Sequence, residues 1–214
     1  MADIIFFKSQ DEFSDWLEEH SETNEIWVGY FRKSTGRASL TWSTSVDVAL
    51  CFGWIVTLSS IADKGAEIDY ENLKLEKPFN KFREYGQSKV ADLIFALELQ
   101  RKISKNNLDI LSVACHPGVS KTELLRYDVP EMIETVDYMN ANQGAFPTLF
   151  AATEELIATS SSNNYFYFGP DGKNEINGYP APAFIEPYAN NELVGNKLWN
   201  YAEKETGVKF NFES

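Results

Sequence analysis

The run Leu108-Asp-Ile-Leu-Ser-Val-Ala-Cys115 is apolar almost without interruption and has the length of a strand. A strand with one wet face alternates polar and apolar residues. One without alternation must be covered on both faces, the setting of a parallel strand between layers of helices. Ile55-Val-Thr-Leu-Ser is a second such strand, and Asn164-Tyr-Phe-Tyr-Phe-Gly169 is a third, stopped by Gly-Pro-Asp-Gly. Residues 85–104 carry Val90, Leu93, Ile94, Leu97 and Leu99 on a broad apolar face, the spacing of a helix. Residues 144–159 and 190–206 read as two further helices, the last preceded by an irregular stretch marked by Pro180, Pro182 and Pro187. Alternating strands and helices predict right-handed parallel crossovers. The fold class is therefore α/β, built on a partial parallel sheet. A connection of mixed charge, residues 62–81, follows the first strand, and its length marks it as functional or family-specific.

The first fifty-odd residues have a different texture. Ser9 precedes acids and a stripe of Phe13, Trp16 and Leu17, which predicts a capped amphipathic helix over 9–20. Glu25-Ile-Trp-Val-Gly-Tyr-Phe-Arg-Lys33 is aromatic and β-branched, hence a strand, and Ser34-Thr-Gly-Arg supplies a turn. A second helix follows Thr41-Trp-Ser-Thr-Ser, with Val46, Val48, Leu50, Cys51 and Phe52 as its apolar set. Trp27, Trp42 and Trp54 read as core packing for this piece, with a binding surface as the alternative. Two domains are expected: a small α+β fragment over 1–54 and the α/β part over 55–214.

Of the 214 residues, 43% are hydrophobic and 14% aromatic, which suits a packed globule rather than a disordered chain. The net charge of −13 disfavours phosphate backbones and anionic bilayers, so neither nucleic acid nor membrane is an expected partner. No apolar run approaches the ~20 residues that span a bilayer. Met1-Ala-Asp-Ile-Ile carries an acid where an export signal is basic, so the expected location is cytoplasmic. Cys51 and Cys115 lie in apolar surroundings, as reduced buried thiols do. With His20 and His116 alone and no Cys/His cluster, no metal site is expected.

Three short motifs fall at the ends of the α/β elements. Ser60 stands at the carboxyl end of its strand, where open α/β sheets place ligands. In Tyr85-Gly-Gln-Ser-Lys89 the phenol and the ammonium are four residues apart, on one helix face. An ammonium beside a phenol favours the phenolate, which brings acid/base chemistry within reach of neutral pH. A serine hydroxyl nearby can hold a substrate oxygen on which charge develops. His116-Pro-Gly-Val119 leaves the next strand on the same side, and Pro and Gly let the backbone approach a flat ring closely. Singly, each motif is commonplace: a solvated helix pair, a serine cap, a loop whose histidine bonds backbone. In this order, each at its element end, they predict a carbonyl/alcohol redox site.

From Ile55 to about Phe210 the chain resembles the C-terminal portion of the short-chain dehydrogenases/reductases, in particular the subgroup with retinol dehydrogenases and WW-domain-containing oxidoreductases. The likeness is carried by Val56-Thr-Leu-Ser-Ser-Ile-Ala-Asp-Lys-Gly-Ala, Ile68-Asp-Tyr-Glu-Asn-Leu, Tyr85-Gly-Gln-Ser-Lys-Val-Ala-Asp-Leu and His116-Pro-Gly-Val-Ser-Lys-Thr. It implies a Rossmann-like sheet, NAD or NADP as cofactor and a small-molecule alcohol or carbonyl as substrate. By the family's pattern Ser60 orients substrate, Tyr85 is the general acid/base, and Lys89 holds the ribose. Pro117, Gly118, Val119 and Thr122 lie along the nicotinamide, with Tyr85 and Lys89 also touching the cofactor. The chain departs from the family upstream. Gly29, Gly36 and Gly53 are too sparse to form its glycine-rich pyrophosphate turn. An impaired oxidoreductase is therefore expected.

The N-terminal residues resemble the start of the YdeI/OmpD-associated family, on Phe6-Phe-Lys-Ser, Trp16-Leu-Glu-Glu-His, Glu25-Ile-Trp-Val-Gly-Tyr-Phe-Arg-Lys and Ala49-Leu-Cys-Phe-Gly-Trp-Ile. That resemblance implies a fusion of two incomplete domains. It opens an alternative function, a non-enzymatic binding or stress-protection module, beside a fusion with no function at all. A sheet this short leaves an edge for the N-terminal piece or another copy of the chain to cover, so homo-oligomerisation stays open.

Overall fold

The computed structural model describes residues 4–20, 27–28, 38, 54–108, 110–123, 138–153 and 166–210. It divides into two compact units, Met1–Ile55 and Val56–Ser214. In the first, β1 (Ile4–Ile5) is followed by α1 (Gln10–Glu19), and β1 pairs in parallel with β2 (Trp27–Val28). Ser9 starts α1 as expected: its Oγ accepts the Glu12 N–H at 3.2 Å, while the Glu12 carboxylate accepts the Lys8 N–H at 2.6 Å. Phe7 and Phe13, with ring centroids 4.8 Å apart, form a small core with Ile5, Trp16, Leu17 and Val28 around it. Of the strand expected over 25–33 only Trp27 and Val28 are described. The helix expected after Thr41 lies outside the described residues with Trp42 and Cys51, as do the side chains of Trp27 and Trp54.

From there the chain runs through β3 (Trp54–Leu58), α2 (Lys81–Lys105), β4 (Leu111–Cys115), β5 (Ser120–Lys121), β6 (Met139–Asn140), α3 (Ala141–Gly144), α4 (Phe146–Thr153), β7 (Tyr167–Pro170), β8 (Pro180–Pro182) and α5 (Glu192–Thr206). The main sheet has the order β3-β4-β7-β8. The Ser59 N–H donates to the Cys115 carbonyl at 2.8 Å, so β3 and β4 end side by side. Strands β4 and β7 are parallel, with Ala114 opposite Tyr167. The α/β class holds, but the sheet is mixed rather than wholly parallel: residues 171–179 reverse the chain, and β8 returns antiparallel to β7 with Pro182 opposite Phe168. Prolines are tolerated there because β8 lies at the end of the strand order, where no further ladder needs their missing N–H.

Helix α2 covers one face of the sheet. Its buried Val90, Leu93, Ile94 and Leu97 pack with Ala114, Tyr167, Ala183 and Ala189. It begins at Lys81, four residues before the expected Tyr85, because the Asn80 side chain accepts the N–H groups of Phe82 and Arg83, each at 3.1 Å. The helix expected over 144–159 begins at Phe146 as α4, its residues 154–159 lie outside the described ones, and α3 is a short helix ahead of it that was not expected. Asn140 and Gln143 close a capping box on α3, and α4 starts separately at Phe146, followed by Pro147, which has no N–H to carry the α3 ladder onward.

The long connection after β3 is ordered by Asn72, which is fully buried. Its Nδ2 donates to both Glu84 carboxylate oxygens at 3.1 Å, and its Oδ1 accepts the Lys77 N–H at 2.7 Å. Replacing Asn72 with Ala strands these groups and is expected to cost about 2–3 kcal/mol in urea unfolding. A loss below about 0.5 kcal/mol would mean the connection is held by other contacts.

Candidate functional site

The Ser60 hydroxyl oxygen accepts the Ala62 N–H at 3.3 Å and caps the short 3-10 turn Ile61–Asp63. Its neighbour Ser59 makes the longer tie, donating from Oγ to the Lys89 carbonyl at 2.7 Å. Gly86 sits against the same turn: a Cβ there would lie 3.1 Å from the Ala62 carbonyl oxygen. Tyr85, the preceding residue, is therefore beside the turn that Ser60 caps. Its side chain is 50% exposed, and among the described residues its hydroxyl makes no hydrogen bond. One turn on, the Lys89 ammonium donates to the Leu58 carbonyl at 3.3 Å and pairs with Asp92 at 2.7 Å. Ser60, Tyr85 and Lys89 are thus gathered around the carboxyl end of β3, with Tyr85 open to solvent.

The Pro-Gly-Val segment lies at the carboxyl end of β4, yet its polar groups face inward. The Gly118 N–H donates to His116 Nδ1 at 3.2 Å, and the Val119 N–H donates to the Ile176 carbonyl at 2.8 Å. Gly118 has φ +63°, and a Cβ there would run into the Ile176 carbonyl and lie 2.7 Å from Pro170 Cγ. Thr122 is exposed just beyond β5. As arranged, residues 117–119 do not fit a nicotinamide: the Val119 backbone donor is engaged within the chain, and the ring's approach over Gly118 is walled by Ile176 and Pro170.

Sequence reasoning missed a buried polar cluster below this surface. Asp63, Tyr167 and His116 are 2%, 1% and 0% exposed. The Tyr167 hydroxyl donates to Asp63 Oδ2 at 2.5 Å, while Asp63 Oδ1 has no partner. Because Gly118 donates to Nδ1 of His116, its Nε2 carries the proton and donates to Glu175 Oε2 at 2.9 Å. The same carboxylate pairs with Lys64 at 3.1 Å, and its other oxygen accepts the Phe184 N–H at 2.8 Å. Gly169 is required here, since a Cβ would lie 2.6 Å from His116 Cε1. Burial pushes Asp63 from 3.8 up to about 6, with Tyr167 and Lys64 opposing the rise. Burial likewise lowers His116, against the pull of Glu175. For Glu175 burial would raise the value, but Phe184, Lys64 and His116 outweigh it and hold the carboxyl below its ordinary range. The signal that could have flagged the cluster is weak: an acid three residues after a strand-end serine pair, and a second acid in a turn.

Residues 5–96 match the domain of unknown function DUF8412, a match that runs unbroken across the boundary between the two units. The N-terminal likeness to the YdeI/OmpD-associated family stays a resemblance of the residues quoted for it. Mouse retinol dehydrogenase 14 is 28% identical over 162 residues, 72% of this chain and 44% of that protein. The short chain dehydrogenase/reductase dpmpH of Macrophomina phaseolina is 37% identical over 127 residues, 56% of this chain and 58% of that one. The C-terminal portion is similar to short-chain dehydrogenases/reductases. The chain spans about half the length of these curated relatives. A crystal structure of an uncharacterized protein from Mycobacterium paratuberculosis shares the fold, with TM-score 0.55 and 23% identity over 95% of this chain and 74% of that one. Among the described residues no helix is long and apolar enough to cross a membrane.

This short-chain dehydrogenase-like unit carries a carboxyl group whose charge opposes folding. With its folded value raised from 3.8 to about 6, Asp63 leaves stability intact below pH 3.8 and withdraws it as pH rises through 6. A displacement of that size corresponds to a penalty on the order of 2–3 kcal/mol at pH 8. Asp63→Asn keeps an acceptor for Tyr167 without the charge. Its thermal stability relative to wild type is expected to grow from pH 4 to pH 8. A pH-independent difference would show that the fold does not raise the Asp63 carboxyl above its unfolded value.

Proposed function

We propose that the chain is a short-chain dehydrogenase/reductase-type oxidoreductase acting on a small-molecule alcohol or carbonyl, with Tyr85 as proton donor and acceptor and with cofactor binding impaired. The observation that carries this reading is the setting of Tyr85. Its phenol is half-exposed at the carboxyl end of β3, beside the turn that Ser60 caps and one helical turn before Lys89. A carbonyl oxygen placed there meets a proton donor, while the Lys89 ammonium lies on the same helix face. NAD or NADP is the cofactor class that belongs to this reading, as do a cytoplasmic location and the absence of nucleic-acid or membrane partners.

Two observations support impairment. The Lys89 charge is shared with Asp92, and the Val119 N–H is held by Ile176 rather than offered to a ligand. Each lost hydrogen bond to a ligand costs roughly tenfold in affinity. The continuous DUF8412 match across Trp54–Leu58 supports an inherited junction between the two units.

The expected outcome is slow reduction of small aldehydes or ketones at millimolar NADH or NADPH. Tyr85→Phe is expected to lower that rate at least about 100-fold, the usual scale of a positioned acid/base. Equal rates for the two proteins remove Tyr85 from the chemistry. A wild type without turnover at millimolar cofactor overturns the enzymatic reading.

A further inference from the structure

We propose that residues 171–178 are an autoinhibitory latch on the Pro-Gly-Val segment, held shut by the Glu175 carboxylate. The proposal rests on the oxidoreductase reading only for what the latch excludes; the latch itself is argued from contacts alone.

The segment is a stiff hairpin. The Asp171 N–H donates to the Tyr179 carbonyl at 2.9 Å, the Tyr179 N–H donates to Asp171 Oδ1 at 2.8 Å, and the Gly172 N–H donates to the Asn177 carbonyl at 2.8 Å. It extends from the ends of β7 and β8, beyond the paired Pro170 and Pro180. Its tip reaches the site through two residues. Ile176 offers the carbonyl that occupies the Val119 N–H at 2.8 Å. Glu175 binds His116, Lys64 and the Phe184 N–H at 2.9, 3.1 and 2.8 Å.

The backbone at the tip opposes these contacts. Asn174 and Glu175 both have φ +56°, the left-handed region. Asparagine tolerates it, but glutamate has no such advantage and is rarely found there. Glu175 is thus kept in an unfavourable conformation by what its carboxylate binds. Remove those bonds and the backbone has reason to leave, taking the Ile176 carbonyl from Val119. Lys64 and Glu175 keep side-chain exposures of 25% and 21%, so water reaches the pair that would have to part. A segment strained along its backbone and retained by charge is a two-state element.

Amide exchange followed by NMR tests this, with NADH and NADPH titrations on the same samples. In the wild type, exchange at Val119 is expected to proceed by local opening and to ignore low urea. Ala114 and His116, bonded to Phe166 and Phe168 across the sheet, should instead follow global unfolding. In Glu175→Gln the Val119 amide is expected to exchange at least tenfold faster, and in Glu175→Ala faster again, with α5 still protected. Cofactor affinity should rise at least tenfold in both variants. Val119 exchange that tracks Ala114 in the wild type overturns the latch, as does an unchanged rate in the variants. Faster exchange with no cofactor saturation upholds the latch and overturns the oxidoreductase reading.

Discussion

Ser59 fixes the point from which the rest of the C-terminal unit is laid out. Its N–H binds the end of β4 and its Oγ binds the Lys89 carbonyl in the middle of α2, both inside a residue that is 3% exposed. Each bond contributes only about 1 kcal/mol net. What matters more is that a buried donor left unmade would cost more than a made one contributes, so strand end and helix are locked in one register. That register decides which side of α2 faces outward at Tyr85 and Lys89. Without it, an acid/base pair four residues apart is a pattern on a helix with nothing to act beside.

The space outside the carboxyl ends of parallel strands is where such sheets receive ligands. Here much of it is filled by the protein's own polar groups. Asp63 follows β3, His116 follows β4, Tyr167 lies in β7 and Glu175 in the turn behind it. Their geometry shows mutual construction: Gly169 has no side chain where the His116 ring passes, and Gly118 adopts φ +63° where Ile176 and Pro170 close in. Such packing is costly in charge, since Asp63 retains an oxygen with no partner. A core assembled for stability alone would put an apolar residue there. Keeping the carboxylate is easier to understand if the cluster has two arrangements, with the Glu175 hairpin as the part that moves.

What the sequence made legible follows from range. The β4 strand was readable because burial on both faces removes alternation over a few neighbouring residues. The β3 strand was readable from a similar apolar run, but it is an edge strand, half-buried with Leu58 50% exposed, and not covered on both faces as expected. The α2 helix was readable from the apolar stripe of Val90, Leu93, Ile94 and Leu97, but its start was not, since it depends on the Asn80 side chain rather than on periodicity. That Ser60, Tyr85 and Lys89 come near the same strand end was legible because their elements are consecutive. Asp63 and Tyr167 were not: 104 residues separate them, and no spacing rule connects two such positions. Nor does composition announce that Asn174 and Glu175 take left-handed backbone, because that conformation is imposed by partners elsewhere in the fold. The antiparallel return of β8 was hidden for a related reason. Its prolines read as irregular chain until a strand beside them supplies the ladder.

The competition at Val119 sets the energetic terms for any ligand. A group arriving there must displace the Ile176 carbonyl, and with it the three bonds of Glu175, before it gains one of its own. Its observed affinity is its intrinsic affinity reduced by the fraction of molecules already open. A closed state favoured a hundredfold thus makes a micromolar ligand look tenth-millimolar with no contact in the open site altered. Weak binding by this chain therefore carries two distinct physical meanings, a missing pocket or a shut one. The Ile176 carbonyl on the Val119 N–H speaks for the second, beside the sparse Gly29, Gly36 and Gly53 that speak for the first.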